Sequence, residues 1–268
     1  MVDIAFRNNV HVYGQGEQTL VLGHGFASDQ NIWNLILPFF GDTYKIVVYD
    51  YVGSGESDKS AYNIDRYKDL RGYAQDLLEV LNATHAKNVI FVGHSISSMI
   101  GMLASIQNPE LFKALIMIGP SPCYINQPSG YFGGFDEKDV QGLLAVMATD
   151  FVGWAKMNAA GVMNNPDRPN LAIQLETIFT AEDPAIMSHF AVATFRADHR
   201  AELSHVTVPT LILQCSEDAI VPPSVAHYLN DNIKNSQLVL AKAKGHYPTL
   251  SEPVETATIM LNYIQSLP

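Results

Sequence analysis

The chain has 268 residues, 47% of them hydrophobic and 16% charged, a composition that excludes a disordered chain and fits one or two packed domains. Its 16 Lys+Arg against 27 Asp+Glu leave a formal net charge of −11, which disfavours nucleic acid and anionic membrane surfaces as partners. No stretch has the roughly 18 unbroken apolar residues of a bilayer span, Met1–Arg7 carries no basic region ahead of an apolar run, and Cys123 and Cys215 lie far apart. A cytoplasmic protein with no disulfide framework, no metal and no cofactor is expected.

In chain order, Ile4–Tyr13 alternates around a polar Asn8-Asn9 pair and reads as an opening hairpin. Nearly continuous apolar runs follow at Thr19–Leu22, Lys45–Tyr49, Val89–Val92 and Ala114–Ile118, then late at Thr210–Leu213 and Leu238–Leu240. Runs of that kind suit parallel strands covered on both faces. Asp65–Leu81 places Leu70, Ala74, Leu77, Leu78 and Leu81 on one helical face. Alternating strand and helix predicts an open, mostly parallel sheet with right-handed crossovers.

Between Ser121 and Asp198 the β-branched runs stop. Helix-like pieces take their place at Glu137–Thr149, Phe151–Met163, Arg168–Phe179 and Asp183–Phe195, divided by breakers such as Asn164-Asn165-Pro166 and Asp183-Pro184. The expected organisation is a core of residues 1–120 and 200–268 with a helical lid at 121–199. Most lid apolar residues should pack against one another. Tyr124, Phe135, Leu143, Trp154, Met157 and Phe195 are the candidates for the wall of an apolar pocket between lid and sheet.

The segment Val92-Gly93-His94-Ser95-Ile96-Ser97 ends an apolar strand and opens a helix-like stretch. That is the setting of a nucleophile elbow, whose tight turn needs small residues on either side of the serine. Gly93 supplies one; Ser97 stands where glycine is usual. The bland alternative makes Ser95 an N-cap. An elbow serine needs a histidine base, and the base needs a carboxylate to fix its tautomer. Asp218 follows the Leu211–Cys215 run and His246 lies in Lys244-Gly245-His246-Tyr247-Pro248, giving the order Ser, Asp, His. Glu217, beside Asp218, could substitute for it. Backbone N–H groups of Phe26, in Gly23-His24-Gly25-Phe26, and of Ile96 would form the oxyanion hole, with the Phe26 ring in the pocket. Asp50-Tyr51-Val52-Gly53-Ser54-Gly55 begins like a dinucleotide fingerprint, but Asp58 occupies the third glycine position, so it reads as a turn.

Over essentially its whole length the sequence resembles the α/β hydrolases, and within them the bacterial stress-response regulator RsbQ and the plant karrikin and strigolactone receptors. The resemblance rests on Asp50–Asp58, Gly93-His94-Ser95, Gly119-Pro120-Ser121-Pro122-Cys123-Tyr124, Gly133-Gly134-Phe135, Asp198-His199-Arg200 and Ile212–Cys215. It implies a central sheet flanked by helices, with a four-helix lid inserted after the sixth strand and a Ser95–His246–Asp218 triad. The implied reaction is hydrolysis of a small hydrophobic ester or lactone. In that group turnover is often slow and the hydrolase serves as a sensor; the likeness to RsbQ implies a phosphatase as signalling partner. Gly-His-Ser-Ile-Ser departs from the usual bacterial glycine and resembles the plant receptors' Gly-His-Ser-Val-Ser. The leading reading is a carboxylesterase or lactonase, with a slowly hydrolysing receptor or regulator as the alternative and perhydrolysis or C–C hydrolysis as a third. Nothing resembles a coiled-coil seam, so a monomer is expected.

Overall fold

The apolar runs pair into one seven-stranded sheet: β1 (His11–Tyr13), β2 (Gln18–Gly23), β3 (Tyr44–Tyr49), β4 (Val89–His94), β5 (Phe112–Ile118), β6 (Thr210–Ser216) and β7 (Ser236–Lys244), in spatial order β1-β3-β2-β4-β5-β6-β7. The computed structural model describes residues 3–268; of the opening Met1–Arg7 segment, Met1 and Val2 lie outside the described residues. All neighbouring strands run parallel except β1, which pairs antiparallel with β3. Every residue of β4 is buried, which explains its unbroken apolar sequence.

The opening segment is not a hairpin. Asp3 caps a single helical turn, α1 (Ile4–Arg7), its carboxylate accepting the Ala5 and Phe6 N–H groups at 3.0 and 3.2 Å. The segment therefore supplies one strand, and the helical insertion follows the fifth strand rather than the sixth. Helix α2 (Leu70–Ala83) also starts later than the periodicity suggests, because Asp69 caps it while Asn63 holds the preceding residues in a turn. Asp76 of α2, fully buried, accepts from Arg66 and Tyr67 and is ion-paired with Arg7 at 3.2 Å, tying the N-terminal turn to this helix.

Helix α3 (Ile96–Gln107) leaves the end of β4 directly. Between β5 and β6 come α4 (Glu137–Met163), α5 (Pro169–Thr180) and α6 (Pro184–Phe195). Asp150 breaks α4 with φ −151° and ψ 73°, so the insertion holds four helical rods. A bridge between Cys123 and Asp198 closes the neck where the chain leaves and re-enters the core. The chain ends with α7 (Pro223–Asn232), a short α8 (Pro248–Ser251) and α9 (Pro253–Ser266). No described helix is long and apolar enough to cross a membrane.

The topology decides where a site can form. From β2 the chain first moves outward to β3, then crosses back to β4 on the other side of β2. The loops after β2 and β4 consequently face each other across a switch point, at the carboxyl rim where α/β sheets build their sites.

Candidate active site

Ser95 sits between β4 and α3 with φ 55° and ψ −122°, a conformation that costs a non-glycine residue about 1–3 kcal/mol. The turn is tight enough that a Cβ at Gly93 would come within 2.6 Å of the Ser97–Ser98 backbone. The Ser95 N–H donates to Ile118 O at 2.7 Å, pinning the elbow to the end of β5. This strand-to-helix geometry is what projects a serine hydroxyl above a sheet.

The hydroxyl meets an imidazole there. Ser95 Oγ and His246 Nε2 lie 2.7 Å apart, and His246 Nδ1 lies 2.8 Å from Asp218 Oδ2. Asp218 comes from the turn after β6 and His246 from the turn after β7. Burial of Asp218 opposes its ionisation, but the His246 imidazole and the N–H groups of Ile220 and Val221, at 2.8 and 3.1 Å from Oδ1, hold its carboxyl below the usual range. An ionised acceptor fixes the tautomer: Nδ1–H donates to Asp218, and the Nε2 lone pair accepts the Ser95 proton. Glu217 pairs instead with Lys244 at 2.8 Å on the surface, which removes it as the substitute acid.

Two further contacts hold the backbone that carries the imidazole. The His246 N–H donates to Val162 O of α4 at 2.9 Å, and His94 Nε2–H donates to His246 O at 2.7 Å. Burial, reinforced by His246 alongside, pushes the His94 imidazole down to about 3, so it stays neutral and serves as a support. Gly245 has φ +76°, and a Cβ there would stand 2.0 Å from Met163 O, so only glycine lets this turn lie against the lid. Gly119, at φ +57°, leaves room for the imidazole, whose Cε1 would lie 3.2 Å from an added Cβ.

Above Ser95 the helical insertion and the sheet rim line a small apolar cavity of about 40 Å³. Of the seven residues expected in its wall, Phe26, Tyr124, Trp154 and Phe195 line it. Phe135 instead pairs with Ile125 in an isolated bridge and Leu143 packs against the core, and neither is among the lining residues. Met157 is 74% exposed. At about 100° per residue, Met157 lies about 140° around the helix from Val162, which does face the cavity. Val162, Phe179, Thr194, Ile220 and Tyr247 also line it and were not anticipated. Tyr247 could have been inferred from its place beside His246, and Thr194 from its place beside Phe195; Val162 needed the phase of α4, set by packing. The Phe26 ring meets Phe190, Phe195 and Trp154 edge-on at centroid distances of 5.5, 5.7 and 6.1 Å. Neither the Phe26 N–H nor the Ile96 N–H, the latter in the first turn of α3, has a hydrogen-bond acceptor among the described residues.

A larger groove of about 950 Å³ lies on the outer surface beside Asn164–Arg168 and Lys242–Lys244. Four of its charges pair with one another, Lys244 with Glu217 and Arg168 with Glu252, both at 2.8 Å, and its lining holds no Ser, Thr or Cys nucleophile. The small cavity is therefore the candidate site. No group of three or more His, Cys, Asp or Glu side chains among the described residues could hold a metal.

Residues 18–253 match the family model of the alpha/beta hydrolase fold. The karrikin insensitive 2 receptor IA of Petunia hybrida is 38% identical over 258 residues, 95% of this chain and 93% of the relative. The strigolactone esterase D14 of Arabidopsis thaliana is 36% identical over 253 residues, 94% of each chain. Among solved structures, a hydrolase from Oleispira antarctica superposes with a TM-score of 0.95 at 38% identity, covering 98% of this chain and 97% of that one. With a family match spanning most of its length and relatives of this identity, the chain belongs to the α/β-hydrolase family.

Proposed function

We propose that this hydrolase cleaves a small hydrophobic ester or lactone by acyl transfer through Ser95. The observation that carries the reading is the unbroken line from Ser95 Oγ through His246 to Asp218, with hydrogen bonds of 2.7 and 2.8 Å. Ser95 attacks the carbonyl as His246 Nε2 takes its proton, and Asp218 stabilises the imidazolium that forms. The Phe26 and Ile96 N–H groups receive the oxyanion; one such donor contributes about 3–4 kcal/mol in comparable sites. His246 then returns the proton to the leaving alkoxide and activates water for deacylation. The apolar wall favours a hydrophobic acyl group, and a cavity of about 40 Å³, far below the roughly 300 Å³ of a typical ligand site, favours a short one.

A slowly turning-over receptor is the second reading. Its support is the small size of the cavity, so that a larger ligand requires the lid to move, together with the receptor names of several relatives. A signalling protein, such as the phosphatase implied by the likeness to RsbQ, would then be the partner.

The test uses p-nitrophenyl acetate and a fluorophosphonate probe on the full chain. Wild type should hydrolyse the ester and be labelled at Ser95, and Ser95→Ala should lose both while its melting temperature is retained. Labelling at another residue, or turnover that survives Ser95→Ala, sinks the assignment. A burst of one product equivalent followed by a near-zero steady state would favour the receptor reading over the esterase.

A further inference from the structure

We propose that Ser97, acting with His24 and Ser28, orients the oxyanion donor at Phe26 by fixing the plane of the Gly25–Phe26 peptide. The inference rests on the ester-hydrolase reading above and adds a positioning role for the serine that replaces the elbow's usual glycine.

Ser97 is fully buried in the first turn of α3. Its hydroxyl donates to the His24 carbonyl, which can only accept, so Ser97 Oγ must itself accept from Tyr51 Oη–H at 2.6 Å. Tyr51 Oη accepts in turn from Tyr49 Oη–H at 3.1 Å. The direction of the whole chain is therefore set by one carbonyl at the base of the loop after β2. A glycine at this position would leave the His24 carbonyl and the Tyr51 hydroxyl buried without these partners.

The same residue is fixed through its ring. The Tyr51 N–H donates to His24 Nε2 at 3.1 Å, so the proton is on Nδ1, which donates to Gly25 O at 2.9 Å. Ser28 Oγ–H donates to that oxygen as well, at 3.0 Å. A trans peptide is planar and its N–H points opposite its C=O. Two donors holding the Gly25 oxygen on one side therefore aim the Phe26 N–H toward the other. Gly25 lies against the nucleophile: a Cβ built on it would be 3.4 Å from Ser95 Cβ. The Phe26 N–H has no protein acceptor among the described residues, as a donor reserved for a reacting oxygen requires. Ser97 anchors His24, His24 anchors Gly25, and the peptide plane carries the constraint to the site.

The test compares wild type, Ser97→Ala and Ser28→Ala with p-nitrophenyl acetate, a short trifluoromethyl ketone and the matching methyl ketone. The fluorinated ketone adds Ser95 and places an oxyanion in the hole, whereas the methyl ketone reports ground-state binding. Complete loss of one donor costs about 10²–10³ in rate, and a donor left in place but loosely aimed should lose about tenfold. Ser97→Ala should lower kcat about tenfold with KM changed less than twofold. It should weaken the trifluoromethyl ketone by a matching factor and leave the methyl ketone unchanged. Ser28→Ala should show the same pattern and carries the test if Ser97→Ala does not fold. Unchanged affinity for the trifluoromethyl ketone in the folded variants, or equal weakening of both ketones, overturns the positioning role. A wild type that neither hydrolyses the ester nor binds the trifluoromethyl ketone overturns the hydrolase reading, and this inference with it.

Discussion

Asp218→Asn tests the site at the point where geometry leaves least freedom. Asp218 Oδ1 faces two backbone donors, the Ile220 and Val221 N–H groups at 2.8 and 3.1 Å, while Oδ2 faces His246 Nδ1 at 2.8 Å and Gln214 Nε2 at 3.3 Å. An amide has only one accepting atom, and two fixed N–H groups hold it at the Oδ1 position. Its NH2 group must then face His246 Nδ1. Donor would oppose donor unless the imidazole moves its proton to Nε2, and a protonated Nε2 cannot take the Ser95 proton. The same exchange in a serine-protease triad lowers kcat about 10⁴-fold, which corresponds to about 5 kcal/mol of transition-state stabilisation. The assay is kcat/KM for p-nitrophenyl acetate at neutral pH, with the rate of fluorophosphonate labelling as a second measure and thermal unfolding as the control. A correctly folded variant that retains more than a tenth of wild-type activity would refute the tautomer argument and, with it, the role given to Asp218.

Three further outcomes follow from particular contacts. Gly245→Ala puts a side chain 2.0 Å from Met163 O at φ +76°; it should lower kcat at least about tenfold by displacing His246, and lower stability in urea by about 1–3 kcal/mol. Wild-type kinetics in that variant would show that the turn does not position the base. Met157→Glu changes a side chain that is 74% exposed and should leave KM unaltered and stability within about 0.5 kcal/mol; a several-fold change in KM would restore it to the pocket wall. Glu182 is buried where the lid meets the core, accepting the Gly55 N–H at 3.2 Å, and burial pushes its carboxyl from 4.5 up to about 8. The folded chain therefore keeps a proton that the unfolded chain releases, so this group's stabilisation is complete below about pH 4.5 and fades as pH rises toward 8. Melting temperatures should fall over that window in wild type relative to Glu182→Gln, and parallel curves would refute the assignment.

The inner strands were legible because β2 to β6 are buried along most of their length, and Val89–Val92 or Leu211–Leu213 have no polar residue to mislead. The opening segment was not, because a local side-chain bond from Asp3 chose a helical turn over the alternating pattern. The elbow at Ser95 could be read from small residues between an apolar strand and an apolar helix. Asp218 and His246 could be read from their order and their positions at strand ends. The lid's four rods could be counted from breakers, but not the face each turns to the cavity.

Local chemistry along the chain thus specified the sheet, the elbow and the order of the hydroxyl, carboxylate and imidazole, since each depends on neighbours within a few residues. Packing between distant segments decided the rest. It rotated α4 so that Val162 faces inward and Met157 outward, and it set the Phe26 ring against the lid. It also gave the Ser97 hydroxyl a carbonyl 73 positions away in the chain. Such contacts depend on how rigid elements dock, and that is fixed by the summed burial of many side chains rather than by any one stretch of sequence.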